Sequence, residues 1–456
     1  MENEEKTELF EKTTIPKAVM KLSVPMILSA LTVIVYNMAD TFFVGMLKDP
    51  IQSAAISLAA PMMMALNVIS NLFGVGTASM MSRSLGAKEY QTVRQCSAFG
   101  FYGTVFSSLL LSVCFAVLKQ PIMGIIGVQP DTEMATDAYM LWTITLGALP
   151  TVLHIVMLNI IRAEGESFFA SFGIAVGCLL NIILDPIFVL PWGFNMGAEG
   201  AGCATFLSNC ASCIFYFGLL FKKRGKIYAS ISPKDFVLNR KIIFGVCGIG
   251  VPACIQTLLN VTGITVLNNF TVAYGATAVA AMGIVQKINS LPVNVALGGS
   301  QGVMPLISYT YASGQHERMK AAVSFSRKLM LGFLLICSAV FFITAKPLTA
   351  VFMDNQEIIS YGARFLRGFC LGLPFMCLDY MAVSIFQALG LGKYAFLFAI
   401  ARKIVLEIPA LVILNILFPL YGLAYAQFVA ELVLAGISMI ALRRLFHRME
   451  TNKVTL

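Results

Sequence analysis

The chain has 456 residues, of which 58% are hydrophobic and 12% charged, and its formal net charge is +9. Soluble domains carry about 25% charged residues, so the composition excludes an ordinary soluble protein. Apolar runs recur along the whole chain, and a helix of ~20 such residues crosses a hydrocarbon core of ~30 Å. The alternating ~10-residue strands of a β-barrel are not visible. These features predict an all-α polytopic membrane protein.

The N-terminal stretch "MENEEKTELFEKTT" is polar and acidic, unlike the basic start and short apolar core of a cleaved signal peptide. We therefore expect the first span to remain as a membrane anchor. That span contains "YNMADTFFVG" (36–45), in which Asp40 is the only charged residue between Lys21 and Lys48. A charge at the bilayer centre costs ~2.5–3.5 kcal/mol or more, which makes Asp40 a candidate functional residue.

Hydropathy, together with glycine, proline and charged residues between the apolar runs, predicts twelve transmembrane helices. Their ranges are 20–47, 53–80, 97–118, 136–161, 168–190, 198–221, 242–271, 277–305, 324–345, 358–388, 394–416 and 420–442. On this layout 26 of the 32 Lys and Arg residues fall on the side of the N-terminus and five on the other side. The positive-inside rule then predicts a multi-pass protein of the plasma or inner membrane with both termini in the cytoplasm.

The two halves of the sequence repeat each other. Pro25 aligns with Pro252, Gly76 with Gly302, Gly165 with Gly390 and Gly200 with Gly422, at offsets of 227, 226, 225 and 222 residues. Each repeat holds six spans, so the halves have the same orientation, as in secondary transporters built from parallel repeats. We predict an N-terminal six-helix lobe (1–221), a basic cytoplasmic linker (222–241) and a C-terminal six-helix lobe (242–456).

Polar residues of the first half fall at one depth. Asp40 and Asp185 lie about 26 Å along helices that start on the same side, since each residue adds 1.5 Å. Asn181 and Asp185 share a helix face. The residues that three helices can bring together are Asp40, Asn37, Tyr36, Asn181, Asp185 and Thr205. Two neighbouring carboxylates in a low dielectric could hold a proton, or with Asn181 could ligate sodium; alternatively, they only cap or bridge helices.

The second half has its own charged residues inside spans. Lys287 and Asp379 lie at comparable depth, and we expect either a substrate-sensitive or a static ion pair between them. Gln286 is a further candidate for substrate binding or gating beside Lys287. Arg402 and Lys403 are one turn from Glu407, a spacing that indicates mutual neutralisation with a mainly structural role.

Several motifs resemble those of the multidrug and toxic compound extrusion (MATE) transporters, along essentially the whole chain. They include "SVPMIL…YNMADTFFVG", "NLFGVGTASMMSRSLGAKEY", "LNIILDPIF", "GAEGAGCAT", "QGVMPLISYTYASGQHERMK" and "FQALGLGKY". The start of the chain is similar to bacterial DinF-like and Mep-type exporters. The resemblance implies two six-helix bundles arranged in a V, with the first-half residues above as the N-lobe cation site.

The resemblance further implies a secondary antiporter that exports amphipathic, often cationic drugs against inward flow of protons or sodium ions. We expect no cofactor besides the coupling ion, no enzymatic activity, no nucleic-acid partner, and a monomer surrounded by lipid. The sequence "GGSQG" (298–302) spells a hydrolase motif, but that motif needs a strand-to-helix turn and here lies in an apolar span. The alternative function is a flippase for lipid-linked precursors, which favours a strongly cationic cavity.

Overall fold

The computed structural model describes residues 8–352 and 355–450. Helices dominate this part of the chain, and its only β-type pairing is an isolated bridge between Arg224 and Ile227. Ten of the twelve predicted spans are continuous helices. They are α1 (Ile15–Met46), α2 (Pro50–Gly86), α3 (Tyr90–Val117), α5 (Ser167–Val189), α6 (Ala198–Lys222), α7 (Arg240–Val272), α8 (Ala276–Ala312), α9 (His316–Ile343), α10 (Gln356–Ala388) and α12 (Gly422–Glu450).

The other two spans are divided. Helix α4 consists of Glu133–Met140, a π-helical turn at Leu141–Thr145 and Ala148–Ala163, with a bend of 43°. Helix α11 consists of Gly392–Ile400, a longer π-helical segment at Ala401–Glu407 and Ile408–Leu417. Such segments rotate the side chains that follow and are frequent at functional sites. Among the described residues, nine helices are long and apolar enough to span a membrane, and the two parts of α4 together make a tenth.

The helices satisfy the backbone hydrogen bonds that lipid cannot, and their outer faces carry large apolar side chains. Phe106, Ile183 and Ile336 are among the exposed ones. Several helices extend past the predicted span, most clearly α2, where Arg83 lies in the last turn. The N-terminus of α2 is closed by Asp49, whose carboxylate accepts the N–H of Ile51 at 2.9 Å.

The chain divides into two compact units. The first comprises Met1–Thr13 and Val24–Cys254, and the second Thr14–Ser23 and Ile255–Leu456, each as far as it is described. The boundaries therefore fall inside α1 and α7, beside Pro25 and Pro252, which are equivalent positions of the repeat. The lobe boundaries expected from the sequence, at 221 and 242, stay a prediction about the repeat.

Glycine permits close helix packing at equivalent places in the two units. In the first unit, a Cβ on Gly76 of α2 would lie only 2.3 Å from the Val246 carbonyl oxygen of α7. In the second, a Cβ on Gly302 of α8 would lie 2.7 Å from Cα of Ser23 in α1. The Ser23 hydroxyl also donates to the Gly299 carbonyl at 3.2 Å. Small residues of this kind let membrane helices approach until their backbones touch.

Residues 223–239 connect α6 to α7 and pack against the helices of the first unit, to which they belong. Ile227, Ala229 and Ile231 join the apolar cluster formed by α5 and α6, whereas Tyr228 and Ser230 point the other way. The Tyr228 ring stacks on Tyr90 with centroids 4.2 Å apart. Burial raises the pKa of the Tyr228 hydroxyl to about 12. We call this extended segment the strap.

Candidate functional site

The most polar buried cluster of the first unit is formed by α1, α5 and α6. Asp185 of α5 is completely buried, with 0% of its surface exposed, and Asn181 lies one turn before it. Pro186 follows directly and lacks the N–H that would bond the Ile182 carbonyl, so α5 is locally weakened beside the carboxylate.

Asn181 connects Asp185 to α6. With its amide oriented so that both polar atoms find partners, Nδ2 donates to Asp185 Oδ2 at 2.8 Å and Oδ1 accepts the Thr205 N–H at 3.2 Å. A buried amide that bridges a carboxylate and a backbone N–H fixes the position of both. The structure thus brings together the predicted residues of α5 and α6.

Helix α1 adds Tyr36 and Asp40. The Tyr36 side chain interacts with Thr205, and Asp40 is close enough to Asp185 for their charges to interact. Tyr36 and Asp40 are half-buried, and Asn37 is exposed toward the cavity described next. All six residues predicted from depth therefore belong to one neighbourhood.

A cavity of about 270 Å³ lies beside these residues, one helical turn before the two carboxylates on α1 and α5. Ten of the sixteen residues that line it are polar. They include Tyr36, Asn37, Asn67, Thr151, His154, Asn181, Thr205, Ser208, Asn209 and Ser212. His154 Nδ1 lies 3.0 Å from the Pro150 carbonyl oxygen, and Asn209 Nδ2 donates to Thr151 Oγ1 at 2.9 Å. The described residues of the lining include no Lys or Arg. The polar groups that could contact a ligand are therefore mainly neutral oxygen and amide groups.

Neither carboxylate has a cationic partner. In the described parts of the chain, no ion pair joins Asp40 or Asp185 to a Lys, Arg or His side chain. A buried carboxylate without a counter-ion is costly unless it binds a proton or a cation. Over residues 8–352 and 355–450, no group of three or more His, Cys, Asp and Glu side chains could hold a metal ion. A sodium ion here would need Asn181 or hydroxyl oxygens as well.

The second unit is different, because its buried carboxylates have counter-ions. Arg402 of α11 bonds to Glu431 of α12, with Nε 2.7 Å and Nη2 2.5 Å from Oε1. Asp379 of α10 lies 3.6 Å from Arg402 Nε. Lys403 Nζ is 2.6 Å from Glu407 Oε2. The π-helical segment of α11 carries both cations and Glu407.

These distances settle two interpretations made from the sequence. Asp379 has Arg402 as its charged neighbour, whereas Lys287 is exposed, so the structure does not contain the expected pair between Lys287 and Asp379. The reason is that Arg402, in the π-helical segment of α11, is buried and reaches Asp379, whereas the Lys287 side chain is exposed. Of the predicted trio, Lys403 does pair with Glu407, but Arg402 is engaged by Glu431 instead.

A second cavity, of about 290 Å³, lies against this network. Gln286 lines it and donates to Asn268 Oδ1 at 3.0 Å. Arg402, Lys403 and Glu407 line it as well, and both cations are paired, Lys403 with Glu407 and Arg402 with Glu431 outside the lining. The alternative function, a flippase for lipid-linked precursors, would have to hold a pyrophosphate group in its cavity, and that would need unpaired cations.

Tyr139 is the residue that the sequence reasoning missed. It lies in the first segment of α4, is buried, and interacts electrostatically with both Asp40 and Asp185. The depth argument could have found it, because Tyr139 lies six residues after Glu133, much as Thr205 lies seven after Ala198. Asn67 and Thr151 of the cavity wall were also missed, because they lie on α2 and α4, which the depth comparison did not include.

Comparison with known proteins agrees with this architecture. The MatE family model matches residues 25–187 and 252–437, which are the two repeats. The chain belongs to the MATE family. Multidrug export protein MepA of Staphylococcus aureus (strain MRSA252) is 30% identical to this MATE chain over 98% of both chains. MepA of Staphylococcus saprophyticus is 29% identical over 99% of both.

Solved MATE structures show the same fold. A MATE protein crystallised in complex with MaL6 matches with a TM-score of 0.92 and 23% identity, over 98% of this chain and 99% of that one. An outward-facing multidrug resistance MATE transporter of the MOP superfamily matches with a TM-score of 0.89 and 24% identity over the same shares. The predicted fold, twelve transmembrane helices in two parallel six-helix repeats, is thereby confirmed. This MATE chain is therefore a multi-pass membrane protein of a transporter family.

Proposed function

We propose that this MATE chain is a secondary active multidrug exporter that works by alternating access. It expels amphipathic, often cationic compounds in exchange for protons or sodium ions. Multidrug export is supported by the full-length relatives, which are named multidrug export proteins. Exchange for an ion is supported by the buried carboxylates of the first unit.

The observation that carries the proposal is the pair Asp40 and Asp185 without a counter-ion. Two carboxylates close together in a low dielectric repel each other, and one bound proton or sodium ion relieves that repulsion. The amide of Asn181 and the hydroxyls of Tyr36 and Thr205 are in place to orient the ion or the carboxylates. The pair would titrate or bind as a unit.

The adjoining cavity is where an exported drug would compete with the coupling ion. Its volume of about 270 Å³ is close to the lower end of the ~300–1,000 Å³ typical of small-molecule sites. A cationic drug in this cavity would lie one turn from the carboxylates, where it competes with the coupling ion for the same negative charge. Binding of one therefore favours release of the other, which is the thermodynamic requirement for antiport.

We further propose that the protein resides in the cell membrane with both termini in the cytoplasm and functions as a monomer. The charge distribution supports this orientation, since 26 of 32 Lys and Arg residues fall on one side of the predicted layout. The paired charges of the second cavity give the lipid-precursor flippase no support.

Ethidium efflux from proteoliposomes under an imposed pH or sodium gradient tests the proposal. We expect efflux with one gradient and none without, and loss of gradient-driven efflux in both Asp40→Asn and Asp185→Asn. Asp137→Asn, which removes the partly exposed acid paired with Lys119, is the matched control and should transport normally. Gradient-driven efflux that persists in both site variants would contradict the coupling role of the pair.

A further inference from the structure

The groove between the strap and α6 is a preformed cavity of the first unit that the transport proposal does not use. It has a volume of about 610 Å³. One wall is the C-terminal end of α6, with Phe217, Gly218 and Phe221; the other is the strap, with Arg224, Ser230 and Ser232. We call it the strap groove.

The strap wall is held in place by hydrogen bonds to the helices beneath it. Ser97 Oγ of α3 accepts the Ser230 N–H at 2.8 Å, and Tyr102 Oη donates to the Ile231 carbonyl at 3.0 Å. The Glu164 carboxylate accepts the Tyr228 N–H at 3.1 Å. Because the backbone is fixed at these points, the groove exists before any ligand arrives, and binding costs little ordering of the chain.

The strap groove is apolar on one side and polar on the other. The Phe221 side chain is 79% exposed at the last turn of α6, where the helix leaves the hydrocarbon region. Gly218 leaves the wall open, since nothing lies within 4 Å of where its Cβ would be. The hydroxyls of Ser230 and Ser232 lie on the strap side. A ligand that fits has an acyl chain and a hydrogen-bonding headgroup.

Charge at the groove favours an anion. Lys222, Arg224 and Lys226 are exposed, and in the described part of the chain no ion pair involves them. Their neighbour Lys223 is already bound by Glu166 at 2.5 Å. Of the nearby acids, Asp235 accepts the Ser230 hydroxyl at 2.6 Å and Glu164 accepts the Tyr228 N–H at 3.1 Å. Arg224 lines the groove, and the two other exposed cations lie within two residues of it in the sequence.

The end of the strap indicates that the strap groove lies at the membrane interface. Phe236, Val237 and Leu238 are all exposed, Leu238 to 70%, although they are outside the membrane spans. Lys234 and Arg240 flank them. An exposed apolar run between basic residues is typical of segments that lie in the membrane interface against anionic lipid.

We propose that the strap groove binds an anionic phospholipid of the leaflet predicted to be cytoplasmic. The phosphate lies at Arg224 and accepts the Ser232 hydroxyl, and an acyl chain runs along Phe217 and Phe221. Lipid is favoured over free phosphate because the groove has an aromatic wall that a phosphate ion leaves uncovered. The site is independent of the ion exchange proposed above.

Tryptophan quenching in vesicles tests the site on the full chain. Phe221→Trp places a fluorophore at the groove, and the unsubstituted chain, with Trp142 and Trp192, supplies the background. The quenchers are brominated phosphatidylglycerol and brominated phosphatidylcholine, each at a low mole fraction in phosphatidylcholine vesicles. We expect preferential quenching by the anionic lipid. Adding Arg224→Gln should weaken that preference about fivefold, the usual effect of one cation near an anionic surface.

Lys393→Gln is the matched control, because it removes an equally exposed cation in the second unit. It should leave the preference unchanged, and drug efflux should persist in all of these variants, which shows that they fold. Equal quenching by both lipids, or an equal effect of both charge variants, overturns the proposal. A preference abolished by inorganic phosphate, but not by sodium chloride at the same ionic strength, assigns the groove to free phosphate and also overturns it.

Discussion

The two units contain buried carboxylates in opposite electrostatic settings. In the first, Asp185 is bonded by the amide of Asn181 and has Asp40 as a charged neighbour, with no cationic partner in the described residues. In the second, Asp379, Glu431 and Glu407 face Arg402 and Lys403. The repeated architecture therefore carries one carboxylate pair without a counter-ion among the described residues and one set of carboxylates that is largely neutralised from within.

The difference indicates which carboxylates the fold requires. Asp40 aligns with Leu267 of the second repeat, which is buried in the apolar cluster of that unit and lines its cavity. The second repeat thus folds with an apolar residue at the position that Asp40 occupies in the first. A buried, unpaired acid that the scaffold does not need is best explained by what it binds.

The largest expected effect separates the two units directly. Asp185→Asn should reduce gradient-driven efflux to the level of empty vesicles, because the coupling ion loses its buried charge. Asp379→Asn should keep measurable coupled efflux, since removing one of three acids leaves two acids matched to two cations. The measurement is initial efflux rate with and without the gradient. Loss of coupling in both variants would show that the comparison between the units is wrong.

The second prediction concerns the stability of the neutralised network. Arg402→Met leaves Glu431 and Asp379 buried without their cation, and removal of one partner of a buried pair typically costs about 3–5 kcal/mol. The apparent Tm in detergent should fall strongly. In the double variant Arg402→Met with Glu431→Met, part of the loss should be recovered, because the uncompensated charge goes too. A double variant as unstable as Arg402→Met alone contradicts this explanation.

The third prediction tests the duplicated close packing. Gly76→Ala and Gly302→Ala both place a methyl group against backbone atoms, and overpacking of this kind typically costs about 1–3 kcal/mol. Gly248→Ala and Gly283→Ala are matched controls within helices, since nothing lies within 4 Å of either Cβ. Thermal unfolding of the four variants should show loss only in the first two. Equal behaviour of all four is the contrary outcome.

The smallest effect concerns an exposed ion pair outside the membrane. Lys241 Nζ lies 2.8 Å from Glu89 Oε2, and this bond lowers the pKa of the Glu89 carboxyl below 4.5. The pair therefore adds stability above pH 4.5, and the contribution disappears as the pH falls through the lowered pKa. Because both groups are largely exposed, Lys241→Met should cost less than ~1 kcal/mol at neutral pH. Tm measured at about pH 7 and about pH 3 should show the difference only at the higher pH.

The fold was predictable because its determinants are local and repeated. Span lengths follow from apolar runs, and offsets such as Pro25 to Pro252 reveal the duplication without any contact information. The breaks in α4 and α11 were not predictable, because a π-helical turn leaves no composition signal. The cation expected to pair with Asp379 was also wrong, since its charged neighbour is Arg402 of the π-helical segment Ala401–Glu407 and not Lys287 of α8.

The candidate site was predictable as far as depth along straight helices is informative. Asp40, Asp185 and Thr205 fall at one level by counting residues, and the structure brings them together. Counting residues also places Tyr139 of α4 at a similar depth, but the depth comparison covered only the helices of Asp40, Asp185 and Thr205, and Tyr139 was therefore missed.

The strap also determines where this chain can be divided into two separately expressed halves. A cut after Lys222, at the end of α6, would place Ile227 and Ile231 on the second fragment. The apolar cluster of the first unit would then lose both side chains. A cut among the exposed residues 236–238 keeps those side chains, and the bonds to Ser97 and Tyr102, on the first fragment. The folded first half thus ends about fifteen residues beyond its last membrane helix, well past the ~4–6 residues of a typical connection.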